Sequence, residues 1–264
     1  MIDSFEPLFS LTGFAVGMLV GITGVGGASL MTPMLVLLFG VHPVMAIGTD
    51  LLYASITKSA GALVHQSHGM IRWRMVAFLA AGSVPAALWT LWMLSGLDRR
   101  SLESVDLLTS ALGWTLLLTA VILFAGERIA TFKTRLFAGA SPPSPRTIAV
   151  LTVSLGFVLG VIVTMTSVGA GAIGVTVLLL LYPRLQIQEI VGSDIAHAIP
   201  LTLVGGLGYL MIGEVDWLML LELLLGSIPG IMIGSALAPR MPEKLVRNIL
   251  AVTLMTVAAK LISS

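Results

Sequence analysis

Residues 24–33, "GVGGASLMTP", hold three glycines in four positions (Gly24, Gly26, Gly27) and close on Pro33, between two apolar runs. Glycine reaches backbone conformations that other residues resist, and proline cannot continue a helix interior. The stretch therefore reads as a break in a helix, set where the flanking residues look hydrocarbon-facing. At membrane depth such a break is tolerated only where protein buries it or a wet cavity runs beside it. A helix restarting after the break offers amides with no intrahelical acceptor at the positive end of its dipole, which favours an anion. Each such end contributes about 0.3–2 kcal/mol.

The surrounding chain fixes the class. Of 264 residues, 57% are hydrophobic and 10% charged, with a mean hydropathy of +1.03. No water-facing surface is built from so few charges. No Lys or Arg occurs from Thr147 to Pro183 or from Leu185 to Pro239, and the first basic residue is Lys58. These gaps hold several spans of roughly 20 residues. An all-α integral membrane protein is expected, with the lipid bilayer as its surroundings. Asp3 and Glu6 stand where a secretory signal would be positive, so the first apolar run is expected to be retained. The absence of cysteine excludes disulfides and thiolate metal sites, and a net charge of +1 leaves no basic surface for nucleic acid. His65 and His68 lack a third ligand, and no nucleophile, base and orienting group assemble. Neither a metal, a cofactor nor an enzyme is expected.

One module is written twice. At a shift of 144, Gly48-Thr49-Asp50 recurs as Gly192-Ser193-Asp194, Trp73 as Trp217, and Gly82-Ser83-Val84-Pro85 as Gly226-Ser227-Ile228-Pro229. At a shift of 143, Thr23-Gly24-Val25-Gly26 recurs as Thr166-Ser167-Val168-Gly169. Five apolar segments per half are predicted: 7–22, 27–40, 44–67, 72–95 and 103–125, then 147–166, 170–182, 188–211, 215–238 and 243–262. The first repeat thus covers 1–125, a polar linker 126–146, and the second repeat 147–264. Arg72 and Arg74 place one connection, with the linker, in the cytoplasm. The equivalent connection carries Glu214 and Asp216 and is expected outside. Two inverted-topology repeats follow, with both termini external and a site near mid-membrane that opens alternately by rocking one half against the other. Segments 27–40 and 170–182 are too short to cross comfortably and are read as broken or re-entrant helices after the glycine turns. Gly13, Gly17 and Gly21, like Gly156 and Gly160, have the spacing of close helix packing.

The candidate anion cradle is Thr23, Gly24, Val25, Gly26, Gly27 and Thr49 in the first half, with Thr166, Ser167, Val168, Gly169, Ala170 and Ser193 in the second. Asp50, Ala54, Thr57, Lys58, Gly61 and His65 share one helical face. Ionisable groups in spans face an interior or a cavity, which makes Asp50, Asp194 and His197 candidates for carrying a coupling proton. Capping or pairing with Lys58 is the structural alternative for the aspartates, and Lys58 is expected to attract Asp50 rather than the anion. Glu222 lies in a span with no partner assigned. Trp73 and Trp217 read as interfacial anchors.

The stretch from Gly21 to Trp73, with its Gly-x-Gly-Gly turn, Pro33, the Gly-Thr pair at 48–49 and the closing "HGMIRW", resembles the signature of the sulfite exporter TauE/SafE family of membrane permeases. The second turn departs from it at Ser167 and Ala170. The resemblance implies a carrier for sulfite, organosulfonates or related small anions, usually outward across the cytoplasmic membrane. A passive anion channel is the alternative.

Overall fold

The computed structural model describes residues 6–23, 27–67, 69–96, 101–136, 144–237, 241 and 243–263. All regular structure among them is helical: α1 (Pro7–Thr23), a 3-10 turn (Gly27–Leu30), α2 (Met31–Phe39), α3 (Pro43–Ser67), α4 (Trp73–Ser95), α5 (Leu102–Leu136), α6 (Pro145–Thr166), α7 (Ala172–Leu181), α8 (Ile187–Met211), α9 (Trp217–Leu237) and α10 (Glu243–Ser263). The segments expected from the apolar runs are these helices, with two refinements. The first short segment divides into a 3-10 turn and a nine-residue helix. The fifth continues as helix to Leu136, into residues expected to form the linker, although its apolar, span-like part ends at Ala125.

Local chemistry sets the ends. Ser144 accepts the Thr147 amide at 3.2 Å and Pro145 opens α6, where its missing N–H costs nothing. Gln186 and Glu189 form a reciprocal capping box at the start of α8. Asp216 Oδ1 accepts the Leu218 and Met219 amides, both at 3.0 Å, at the start of α9. Gly40, at φ +63°, ends α2.

Among the described residues, five helices are long and apolar enough to cross a membrane: α4, the Leu102–Ala125 part of α5, α6, α8 and α9. Their outer faces are apolar, with Trp92 73% and Met232 69% exposed. Polar side chains such as Thr32, Asp50, Ser83, Asp194 and His197 are buried. This inversion of the water-soluble pattern suits a lipid surround.

The helices pair across the halves: α1 with α9, α4 with α6, α3 with α8 and α5 with α10. Glycine makes the first two approaches possible. A Cβ on Gly17 would stand 2.5 Å from the Ser227 carbonyl oxygen, and one on Gly230 2.3 Å from that of Phe14. Gly13, Gly17 and Gly21 meet Leu223, Ser227 and Ile231 in ascending order, so α1 and α9 run parallel. Gly156 and Gly160 meet Leu79 and Ser83 in the same way, so α4 and α6 also run parallel. Close helix contact, expected from the glycine spacing, is what these residues make. In α3 and α8 the order reverses: Gly48 abuts Tyr209, Leu51 abuts Gly205 and Ile195 faces Gly61. This central pair is antiparallel.

Candidate functional site

The site is built on the α3–α8 pair and on the two short helices beside it. Asp50, on α3, is 1% exposed. Its Oδ2 accepts the Thr32 backbone N–H at 3.2 Å and the Thr32 hydroxyl. Thr32 is the second residue of α2, so Asp50 satisfies an amide that a short helix leaves open. The amide lies five residues beyond the turn where sequence reasoning placed an anion, and the protein's own carboxylate occupies it.

The second turn closes on the same carboxylate. Thr166 donates to the Ile162 carbonyl at 2.7 Å, and its oxygen accepts the Val168 N–H at 3.2 Å. Ser167 ends α6 in the left-handed region at φ +57°, its N–H donating to Val163 at 2.7 Å. Its hydroxyl makes no hydrogen bond within the protein and lies beside Asp50. Gly169 stands at φ +109°, a conformation side chains disfavour, against Ile173. Val168 and Ala170 are buried. Thr166, Ser167, Val168, Gly169 and Ala170 thus form one ordered turn leading into α7. In the first turn, Gly24, Val25 and Gly26 lie outside the described residues, as does the side chain of Thr23, the last residue of α1. Gly27 begins the 3-10 turn.

Asp194, on α8, is 2% exposed and sits differently. Its Oδ1 has no hydrogen-bond partner and presses on α7 at Gly174, where a Cβ would be 2.4 Å away. Among the described residues, Lys58 of α3 lies between the two carboxylates and forms an ion pair with neither. The register sets this spacing: Ile195 faces Gly61, so Asp194 lies a few residues beyond Lys58 along α3, whereas Asp50 is two turns away on the other side. At 1.5 Å per residue the aspartates lie roughly 20 Å apart along the helices. His197, fully buried, shares a 2.8 Å hydrogen bond with Ser83 of α4 through Nε2 and leaves Nδ1 unpartnered.

Thr49 and Ser193 lie next to these aspartates, and their hydroxyls are engaged with the opposite half. Thr49 accepts the Asp216 N–H at 3.1 Å and Ser193 accepts the Arg72 N–H at 2.8 Å. Each ties the start of the fourth helix of one repeat to the third helix of the other. Glu222 accepts the Glu6 amide at 2.8 Å just ahead of α1. Sequence reasoning did not single out Thr32, Ser83 or Gly174. Thr32 stands inside the quoted stretch and Ser83 inside a repeated motif, so both carried a signal. Arg72 pairs with Glu189, and Arg74 lies 5.5 Å over the Phe78 ring. Both line a groove of about 470 Å³ with Phe78, Pro145 and Tyr182.

A profile of the family described as "Sulfite exporter TauE/SafE" matches residues 9–261. The chain is 38% identical over 256 residues to "Probable membrane transporter protein YjnA" of Bacillus subtilis, covering 96% of this chain and 98% of that one. It is 28% identical to "Probable membrane transporter protein YdhB" of the same organism, over 93% of this chain and 96% of the other. A "Probable membrane transporter protein" of Xylella fastidiosa is 27% identical over 88% and 82% of the two chains. No solved structure matches.

Proposed function

The chain belongs to the sulfite exporter TauE/SafE family of membrane proteins, and from that premise we propose that it is a proton-coupled secondary transporter exporting a small sulfur-containing oxyanion, sulfite or an organosulfonate, across the cytoplasmic membrane. The relatives are named as membrane transporters, not enzymes. The single observation carrying the mechanism is the antiparallel pairing of α3 and α8, which are equivalent in the repeat and each bury an aspartate. Equivalent helices of opposite sense are what inverted repeats produce, and such carriers bind where the repeats meet. The exchange of partners, α1 with α9 and α4 with α6, supports the same reading.

In this reading the turns at 23–27 and 166–170 cradle the anion, while Asp50, Asp194 and His197 are the protonatable groups around it. Thr49 and Ser193 hold the α3 and α8 backbones in register beside the cradle. Arg72 and Arg74 lie at the cytoplasmic mouth and raise the local anion concentration. Termini face outward and the linker inward. Because helices pair across the halves, the moving bodies are cross-half helix pairs rather than the two repeats.

The test is uptake of labelled sulfoacetate and sulfite into inside-out vesicles. Uptake should be concentrative and respond to an imposed pH gradient, and Asp194→Asn should lose that response while still reaching the membrane. Equilibrating flux without accumulation would mark a passive anion channel. A full pH response in the variant would remove Asp194 from coupling.

A further inference from the structure

The first turns of α4 and α6 leave a basic notch between them. Further along, the two helices touch backbone to backbone, with Gly156 against Leu79 and Gly160 against Ser83. That register brings Ala149 level with Arg72, and ahead of these glycines the pair presents Met75, Phe78, Ile148 and Ala149. They line the groove of about 470 Å³, room for roughly fifteen waters at ~30 Å³ each. Tyr182 forms another wall, held to α6 by a 2.8 Å hydrogen bond shared with the Thr152 hydroxyl. The chain neighbours Trp73 and Val150 are 58% and 64% exposed, so the groove opens onto the apolar surface that meets lipid. Its charge is positive. Arg72 and Arg74 line it, and the exposed Arg146 and Arg184 stand next in sequence to the lining residues Pro145 and Leu185. Arg72 pairs with Glu189. Among the described residues Arg74 has no ion pair, and it lies over the Phe78 ring.

We propose that this groove is a binding site for an anionic phospholipid: Arg74 and Arg72 take the headgroup phosphate, while Met75, Phe78, Ile148 and Ala149 cover the glycerol and the first methylenes. The combination of surfaces selects this ligand. Guanidinium forks match phosphate oxygens two at a time. A free oxyanion would use the arginines and leave the apolar walls wet. A zwitterionic lipid would bring its own ammonium to a site that is already positive. An anionic phospholipid satisfies both the charge and the walls, and arginine-lined pockets between spanning helices are where such headgroups bind. The Arg72 N–H donates to Ser193 at 2.8 Å, so a lipid held here is tied to α8 at the residue before Asp194. The site is separate from the central helix pair and does not depend on what the protein transports.

Native mass spectrometry of the detergent-purified protein, titrated with phosphatidylglycerol or phosphatidylcholine of the same acyl chains, reads occupancy directly. Phosphatidylglycerol should bind several-fold more tightly. Arg74 is exposed, so Arg74→Gln leaves the fold intact. It should weaken phosphatidylglycerol about fivefold, the share one arginine near an anionic surface contributes. Lys260→Gln, on α10, which packs on α5 and lines no part of the groove, should change nothing. Ala149→Phe keeps every charge but fills the groove, and should also weaken binding. Glu189→Gln preserves the α8 capping box, frees Arg72 and should tighten binding. Equal binding of the two lipids, or full binding by Arg74→Gln, overturns the site. Full binding by Ala149→Phe reduces it to a charged patch and overturns the groove. Unchanged affinity in Glu189→Gln removes Arg72 from it. Displacement of phosphatidylglycerol by inorganic phosphate marks a site for a free anion and overturns the lipid.

Discussion

At the scale of single residues, the site turns on which carboxylate has a donor. Thr32→Val keeps the backbone amide and removes the hydroxyl facing Asp50, leaving a buried carboxyl group short of one bond. The expected cost is about 1–3 kcal/mol, read as a lowered unfolding midpoint of the detergent-solubilised protein. Asp50→Asn combined with Thr32→Val should cost less than the sum of the two, because both remove the same bond. The sequence pointed to Asp50, Asp194 and His197 through their rarity in apolar segments, a signal that needs no coordinates. Their difference was invisible there. It depends on Thr32 and Gly174, which reach the aspartates only once α2 and α7 fold against α3 and α8. Lys58 was legible as an isolated cation, but its place between Asp50 and Asp194 follows from the α3–α8 register, which no local pattern encodes.

At the scale of elements, glycine sets how close two helices come. Gly230→Val would drive Cβ into the Phe14 carbonyl on α1, and carbonyl oxygens of a helix cannot turn aside. Separation of α1 from α9 is expected, seen as loss of the monodisperse peak in size-exclusion chromatography. Gly96→Ala is the control: the nearest atom to a Cβ there is 3.6 Å away, and φ is −83°. The variant should elute and melt like the parent. The small-xxx-small spacings in α1 and α6 announced these contacts. They could not name the partner, because the matching Gly226, Gly230 and Gly234 lie about 200 residues further along the chain. Segment boundaries were readable to within a few residues where glycine, proline or a cap marked them. The fifth apolar segment ends at Ala125 as expected while its helix runs on to Leu136, because polarity marks where a membrane stops and a helix need not stop there.

At the scale of the whole molecule, an inverted repeat assigns the two equivalent connections to opposite faces. The chain has no cysteine, so single-cysteine variants report without a background. Met70→Cys should react with a membrane-impermeant maleimide only in inside-out vesicles, and Met211→Cys only in intact cells. Reaction of both from one face would end the inverted arrangement. This expected topology rests on the repeat and the positive-inside bias, both one-dimensional patterns. The cross-half pairing was not supplied, because it is a property of packing. It has a consequence for biosynthesis: α1 enters the bilayer with its grooved face uncovered and waits until α9 leaves the ribosome. A truncated first half would therefore never complete its seam, and during that interval a chaperone, an insertase or a neighbouring lipid must shield the unmatched helix.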